Sequence, residues 1–427
     1  MRISSTTVAA TLGALAYFPE TNAWGAAGAY IMIPTRVSDL TMVPTGHEIV
    51  ATIAQMYLHP SVLPTLCDIL DLDAHRCHIA SVATWADQHR YQMRWSATLH
   101  YVGALDDHPS DTCAFPGTRG WAGNQGANVL DAIKNTTHLL EEWVNHDASD
   151  VVASEALKFL IHFVGDMHQP LHLTGRDRGG NSVKVRFGTR QTNLHSLWDG
   201  FLIAKAVRTT PRNYSRPLPY PKVERALRGT IYDSYIRRIL WEGILNPWAE
   251  DLSTWLTCPE PTTSSPSSIG TMDSDASASG LLGMWQTVYK FTTNIARTLT
   301  RDGVEISPDG PVVCPYFWAQ PLHKLNCDII WPKELDEPPY NVRFDSDNHD
   351  HDHHGEEEED TSFILENGRL LDLDTPKYAG VIEKEMIVEK LLAQGGIRLA
   401  GVLNYLFADE SQLSGPRSAF LQDFRRA

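Results

Sequence analysis

Two histidine–aspartate pairs constrain this chain most: His162 with Asp166, and His195 with Asp199, each four residues apart. Residues four apart share a helix face, so each pair offers an imidazole nitrogen and a carboxylate oxygen side by side. That donor set suits zinc. Taken singly, such a pair is more often a surface hydrogen bond than a metal site. Two pairs in one chain, with the run His168-Gln-Pro-Leu-His172 between them, require helices whose faces converge. Pro170 does not continue the helix before it, so His172 leaves on a turn and serves a different ion.

The 427 residues suffice for one large domain or two ordinary ones, and 42% of them are hydrophobic, enough for a sizeable core. The net charge of −16 excludes tracking a phosphate backbone with Lys and Arg alone. Positive charge for such a ligand has to come from elsewhere, and bound metal is the obvious source.

Residues 1–23 read as a signal peptide: Arg2, a short apolar run from Val8 to Tyr17, and small residues Thr21 and Ala23 before a cleavage point that leaves Trp24 first. No later segment is long and apolar enough to span a membrane. Behind a signal peptide, the six cysteines (Cys67, Cys77, Cys113, Cys258, Cys314, Cys327) read as disulfides, and the absence of CxxC argues against a thiolate zinc site. Asn135 and Asn213 head glycosylation sequons.

Helical periodicity marks His47 to Leu58, Ser154 to Met167, Asn193 to Val207, Val223 to Leu245, Leu281 to Leu299 and Tyr378 to Phe407, the last interrupted at Gly395 and Gly396. Strand-like alternation is scarce, and Ser182 to Phe187 is one short candidate. The fold class is therefore all-α, a single mainly helical domain over 24–427 with long loops stapled by disulfides. The stretch 345–360 carries nine acidic residues and four histidines (His349, His351, His353, His354) and reads as a disordered, solvated loop. The Ser/Thr/Pro-rich stretch 261–279 is a second loop.

The motifs resemble the S1/P1 nuclease family, the trinuclear-zinc nucleases of fungi and plants. The matching pieces are Trp24-Gly-Ala-Ala-Gly28, His47, Trp85-Ala-Asp87, Leu99-His-Tyr101, the run from Glu155 to His172, Gly179-Gly-Asn181, the run from Asn193 to Asp199, and a tail from Arg398 to Asn404. The resemblance implies the phospholipase C/P1 nuclease fold and three zinc ions. Asp87, His100, His162 and Asp166 would hold one buried zinc. Asp166 would bridge to a second, held also by His47 and by the amine and carbonyl of Trp24. His172, His195 and Asp199 would hold the third. Asp87 and Arg90 would be catalytic, and Tyr101, Gly180 and Asn181 would contact substrate. With the spacing, the resemblance pairs Cys113 with Cys258. Cys67–Cys77 and Cys314–Cys327 then read as local bridges. His168, off the face of His162, reads as structural, and Trp85 and Trp198 as packing.

Zinc neutralises an anionic phosphodiester and lowers the pKa of bound water toward neutrality. Arg90 adds charge to the same transition state, and stacking on Tyr101 favours unpaired strands. The implied enzyme is a secreted, monomeric zinc endonuclease. It acts on single-stranded RNA and DNA to give 5′-phosphates, with 3′-nucleotidase activity and no membrane association. Only a free α-amine at Trp24 binds zinc well, so the site assembles after signal cleavage.

The chain departs from the family in two places. Eighteen residues, 29–46, separate Gly28 from His47. Removing them restores Trp-Gly-Ala-Ala-Gly-His, and the residues at both ends admit codons carrying intron boundaries. Residues 29–46 therefore read as a translated, unspliced intron. Gly103 stands where relatives carry a base-contacting acid, with Asp106 or Asp107 as substitutes. The alternatives are a zinc phospholipase C, or a secreted metal-binding protein impaired by the insertion.

Overall fold

The computed structural model describes residues 46–73, 76–124, 126–230, 232–259, 309–341, 343, 370–409 and 420–421. The expected signal peptide, Trp24, segment 29–46 up to residue 45, the helix from Leu281 to Leu299 and the loops 261–279 and 345–360 lie outside these residues.

Helix α1 (Gly46–Tyr57) is buried along its length except at Glu48. Fully burying each large aliphatic side chain stabilises the fold by roughly 1.5–3 kcal/mol. Its neighbours are long helices from distant parts of the chain. After α2 (Val62–Ile69) and the short α3 (Trp85–Gln88), α4 (Val129–Val144) and α5 (Asp150–Met167) form a helical hairpin. The Asn128 side chain caps α4 by accepting from the Leu130 and Asp131 amides, and Ser149 caps α5. A two-stranded antiparallel ribbon follows, β1 (Lys184–Phe187) with β2 (Arg190–Asn193), registered Val185 to Thr192. The next helical stretch is α6 (Leu194–Ser196), a π turn Leu197–Phe201, and α7 (Leu202–Thr209).

The expected helix from Val223 to Leu245 is two pieces, α8 (Pro221–Ala226) and α9 (Asp233–Arg238), the latter running into a π turn Ile239–Ile244. Gly229, at φ +85°, parts them. Then come α10 (Leu252–Trp255), α11 (Pro315–Leu325), α12 (Ala379–Lys384) and α13 (Ile387–Phe407).

The C-terminal helix breaks at Met386, φ +51°, and not at Gly395 or Gly396. Those glycines stay helical because α13 lies against α1: a Cβ at Gly396 would come within 2.5 Å of Ile53. They permit close packing rather than a kink. Helices α1, α5 and α13 together enclose the apolar core. The described residues are thus mainly helical, as expected.

Cys67 pairs with Cys77. The other two expected bridges are corrected: Cys113 pairs with Cys327, 214 residues away, and Cys258 with Cys314. The Cys113 loop packs on α11, with Phe115 stacked on His323 at 4.7 Å, which sets Cys113 beside the turn carrying Cys327. Cys258 follows α10 and meets Cys314 at the start of α11. Asn135 lies mid-helix on α4, half-buried, with its amide nitrogen buried and Thr137 turned into the core. Asn213 sits exposed in the turn Arg212–Ser215.

Candidate metal centre

Six separate elements bring the expected ligands to one place. His47 comes from the first turn of α1 and Asp87 from α3. His100 ends the 3-10 turn Arg94–His100. His162 and Asp166 stand one turn apart on α5. His172 comes from the turn Pro170–Leu173, which begins because Pro170 ends the helical run. His195 and Asp199 lie across the junction of α6 with its π turn.

Three ligand triads result, each with its donor atoms within 4.8 Å of one another: His47, His162 and Asp166; Asp87, His100 and His162; His172, His195 and Asp199. Asp166 is the hub. Its Oδ2 lies 2.9 Å from His100 Nδ1 and 3.3 Å from His162 Nε2, and its Oδ1 lies 3.5 Å from His47 Nε2 and 3.6 Å from His172 Nδ1. Asp87 Oδ1 is 3.6 Å from His162 Nε2, and Asp199 Oδ2 is 3.2 Å from His195 Nε2.

Backbone carbonyls orient three of the imidazoles. A carbonyl only accepts, so the facing ring nitrogen carries the proton. His162 Nδ1 donates to Ala83 O at 2.8 Å, His172 Nδ1 to His100 O at 2.7 Å and His195 Nδ1 to Gly179 O at 2.8 Å. Each ring thereby presents an unprotonated Nε2 to the cluster, as a metal ligand does. His47 instead stacks on His162, with ring centroids 3.9 Å apart. Gly165 makes that possible, since a Cβ there would lie 2.4 Å from His47 Nδ1.

Burial holds His47 and His162 well below the usual imidazole range and His100 at about 3, so these rings are neutral near pH 7. Burial also pushes the Asp166 carboxyl well above its ordinary range. Burial opposes ionisation of Asp199 as well, but His195 and His172 hold it at about 2. Both nitrogens of His47, Asp166 Oδ1, His172 Nε2 and Asp199 Oδ2 are buried without a hydrogen-bond partner. A buried carboxylate among neutral imidazoles is costly unless a cation joins it. The orphaned atoms and the nitrogen–oxygen donor set therefore fit divalent metal. Trp24 lies outside the described residues. The grouping of Asp107, Cys113 and His323 is different, because Cys113 is in a disulfide.

Among the other expected residues, Arg90 follows α3, stacks over the Tyr91 ring at 4.8 Å and donates to its hydroxyl. Tyr101, next to His100, is 45% exposed, leaving its ring accessible. Gly180 is buried at φ +83°, and Asn181 Nδ2 donates to Arg178 O. His168 is structural: it donates to Val164 O and meets Arg398 at 2.8 Å. Trp198 is fully buried, and Trp85 is half-buried against Phe159. Gly103 lies against Gly175, where a Cβ would approach the backbone to 2.6 Å. Asp107 does not replace an acid there, for it is buried against Thr174 and His323, while Asp106 accepts from Thr118. One residue escaped the sequence reading: Gln169, fully buried, donates to Asp199 Oδ1 at 2.7 Å. Its place between His168 and Pro170 was the available signal.

The family described as S1/P1 Nuclease matches residues 43–269. The chain is similar to Endonuclease 2 of Arabidopsis thaliana, 31% identical over 51% of this chain and 69% of the relative. It is also similar to Nuclease P1 of Penicillium citrinum (37% identical, over 38% of this chain and 58% of the relative) and to Nuclease S1 of Aspergillus oryzae (37%, over 36% and 52%). The matched segment thus spans between about half and about two thirds of these relatives.

Proposed function

This chain belongs to the S1/P1 nuclease family, and on that premise we propose that it is a zinc-dependent endonuclease with 3′-nucleotidase activity. Its substrates are single-stranded RNA, single-stranded DNA and 3′-nucleotides, and its products are 5′-phosphates. The convergence of the three ligand triads on Asp166 and Asp199 is the observation that carries this reading.

Three zinc ions fit the donors. Asp87, His100, His162 and Asp166 would hold one, Asp166 with His47 and the amine and carbonyl of Trp24 another, and His172, His195 and Asp199 the third. Bound ions of this kind neutralise phosphate charge and lower the pKa of water. Asp87 accepts a hydrogen bond from the attacking water and so aims its oxygen at phosphorus. The new P–O bond forms as the bond to the 3′ oxygen breaks; the attacking water gives up its proton to solvent, and the 3′ oxygen takes one from solvent and leaves as a hydroxyl. The Arg90 guanidinium meets the charge that develops on the phosphate. Tyr101, exposed beside His100, stacks an unpaired base, and Gly180 and Asn181 line the substrate's path.

The protein is secreted as a monomer comprising one domain over 24–427. Signal cleavage frees the Trp24 amine, and residues 29–46 are absent from a correctly spliced product. No described helix is long and apolar enough to cross a membrane.

Purified protein with and without residues 29–46 tests this. Three zinc equivalents and faster hydrolysis of single-stranded than of duplex DNA are expected from the shorter form. Hydrolysis of phosphatidylcholine instead, or no hydrolysis by either form, overturns it.

A further inference from the structure

The loop from Arg176 to Gly180 supplies the carbonyl that orients His195, and its backbone is unusual. Asp177 and Arg178 have φ of +46° and +59°, followed by Gly179 and Gly180 at +63° and +83°. Side chains rarely adopt this region, and two consecutive non-glycine residues there persist only where their surroundings over-determine them. The loop is wedged between two ligand-bearing turns. A Cβ at Gly179 would lie 2.7 Å from Leu171 O, beside His172, and one at Gly180 would lie 3.4 Å from His195 N.

A segment far along the chain holds this loop. The Arg176 side chain, only 6% exposed, lies over the Trp331 ring at 4.4 Å. Its two terminal nitrogens grip the two oxygens of Asp336, which also accepts from Ser110. Arg343 Nε donates to Asp177 Oδ2 at 2.7 Å, while its terminal nitrogens bond Leu335 O and Asp336. Asp177 and Arg176 are thus held from both sides, although Asp336 and Arg343 lie beyond the family match, which ends at residue 269.

We propose that Asp336 and Arg343 are positioning residues for the metal centre: they lock the Arg176–Gly180 loop in its left-handed form, so that Gly179 O fixes the His195 ring with Nε2 toward Asp199. The proposal rests on the metal-dependent reading above and concerns the triad of His172, His195 and Asp199. Partners of ligating histidines typically tune metal affinity by about 10–100-fold.

The full chain, with D336N, R343A and R343K, tests it by two readouts besides activity. The first is zinc titration against a competing chelator. D336N and R343A should weaken one class of site about 10–100-fold and leave the others unchanged. R343K, which keeps a cation near Asp177, should recover part of that loss. The second uses metal-free protein with nitrogen-15-labelled histidine, assigned through H195Q. The parent should hold His195 as the Nδ1–H tautomer, and D336N should show a mixture. Equal weakening of every site together with a lower melting temperature, or an unchanged His195 tautomer, overturns the proposal. A parent that binds no zinc sinks the nuclease reading instead, and the tautomer still decides the role of Asp336.

Discussion

The buried histidines and carboxylates around Asp107 and those around Asp166 are built on opposite plans. Around Asp107 both carboxylate oxygens have donors: Oδ1 accepts from the Ala114 amide and Oδ2 from Thr174, while His323 Nε2 lies 3.0 Å from Oδ1 without a hydrogen bond of its own. Around Asp166 the residue types are the same, yet Oδ1 and both nitrogens of His47 are buried with no hydrogen-bond partner. Histidine, aspartate and burial therefore do not by themselves mark a metal centre. Protein groups satisfy the carboxylate of the first cluster, which ties the 101–114 region to α11. The second is left short of positive charge, and a cation completes it.

That contrast breaks most visibly at its hub. D166A should reduce phosphodiesterase activity by at least about 10³-fold, the scale of losing a principal electrostatic group, with zinc content falling in parallel. Retained zinc and activity would make the two clusters equivalent. Chelation follows: stripping zinc should lower stability by about 4 kcal/mol if the metal stands near 1,000 times its Kd, reversibly on adding it back. H323A keeps the Asp166 centre, so the stability it loses relative to the parent should be the same with zinc and without it. H323A itself should lose about 3 kcal/mol of stability, because a buried ring stacked on Phe115 is removed and leaves a cavity, while keeping its activity per folded molecule. The smallest effect is at the rim. Y101A should raise KM for single-stranded DNA about tenfold, within the range of one lost stack, with kcat and zinc content unchanged.

Five of the ligands were legible from local spacing, whereas His47, Asp87 and His100 came only through the resemblance. His162 to Asp166 and His195 to Asp199 share helix faces, and Pro170 turns His172 away at a predictable point. Much of the helical pattern was legible for the same reason. What depends on approach between distant segments was not. Cys113 meets Cys327 because Phe115 packs on α11, a contact no spacing encodes. The break at Met386 was invisible, and the glycines that looked like a break instead admit α1. Helix α4 went unread although Asn128 caps it, because its buried face includes Thr136 and Thr137 and so lacks a clean apolar stripe. Gln169, Asp336 and Arg343 act on the centre through partners that only the folded chain supplies.

The pairing of α1 with α13 also has a temporal side. His47 is among the earliest ligands to leave the ribosome, while the surface that seats its helix is translated some 340 residues later. Until then α1 has no partner for much of its apolar face. A nascent or prematurely terminated chain therefore carries most ligands without a cleft to hold them. Assembly of the ligand cluster thus waits on a helix translated long after its first described ligand.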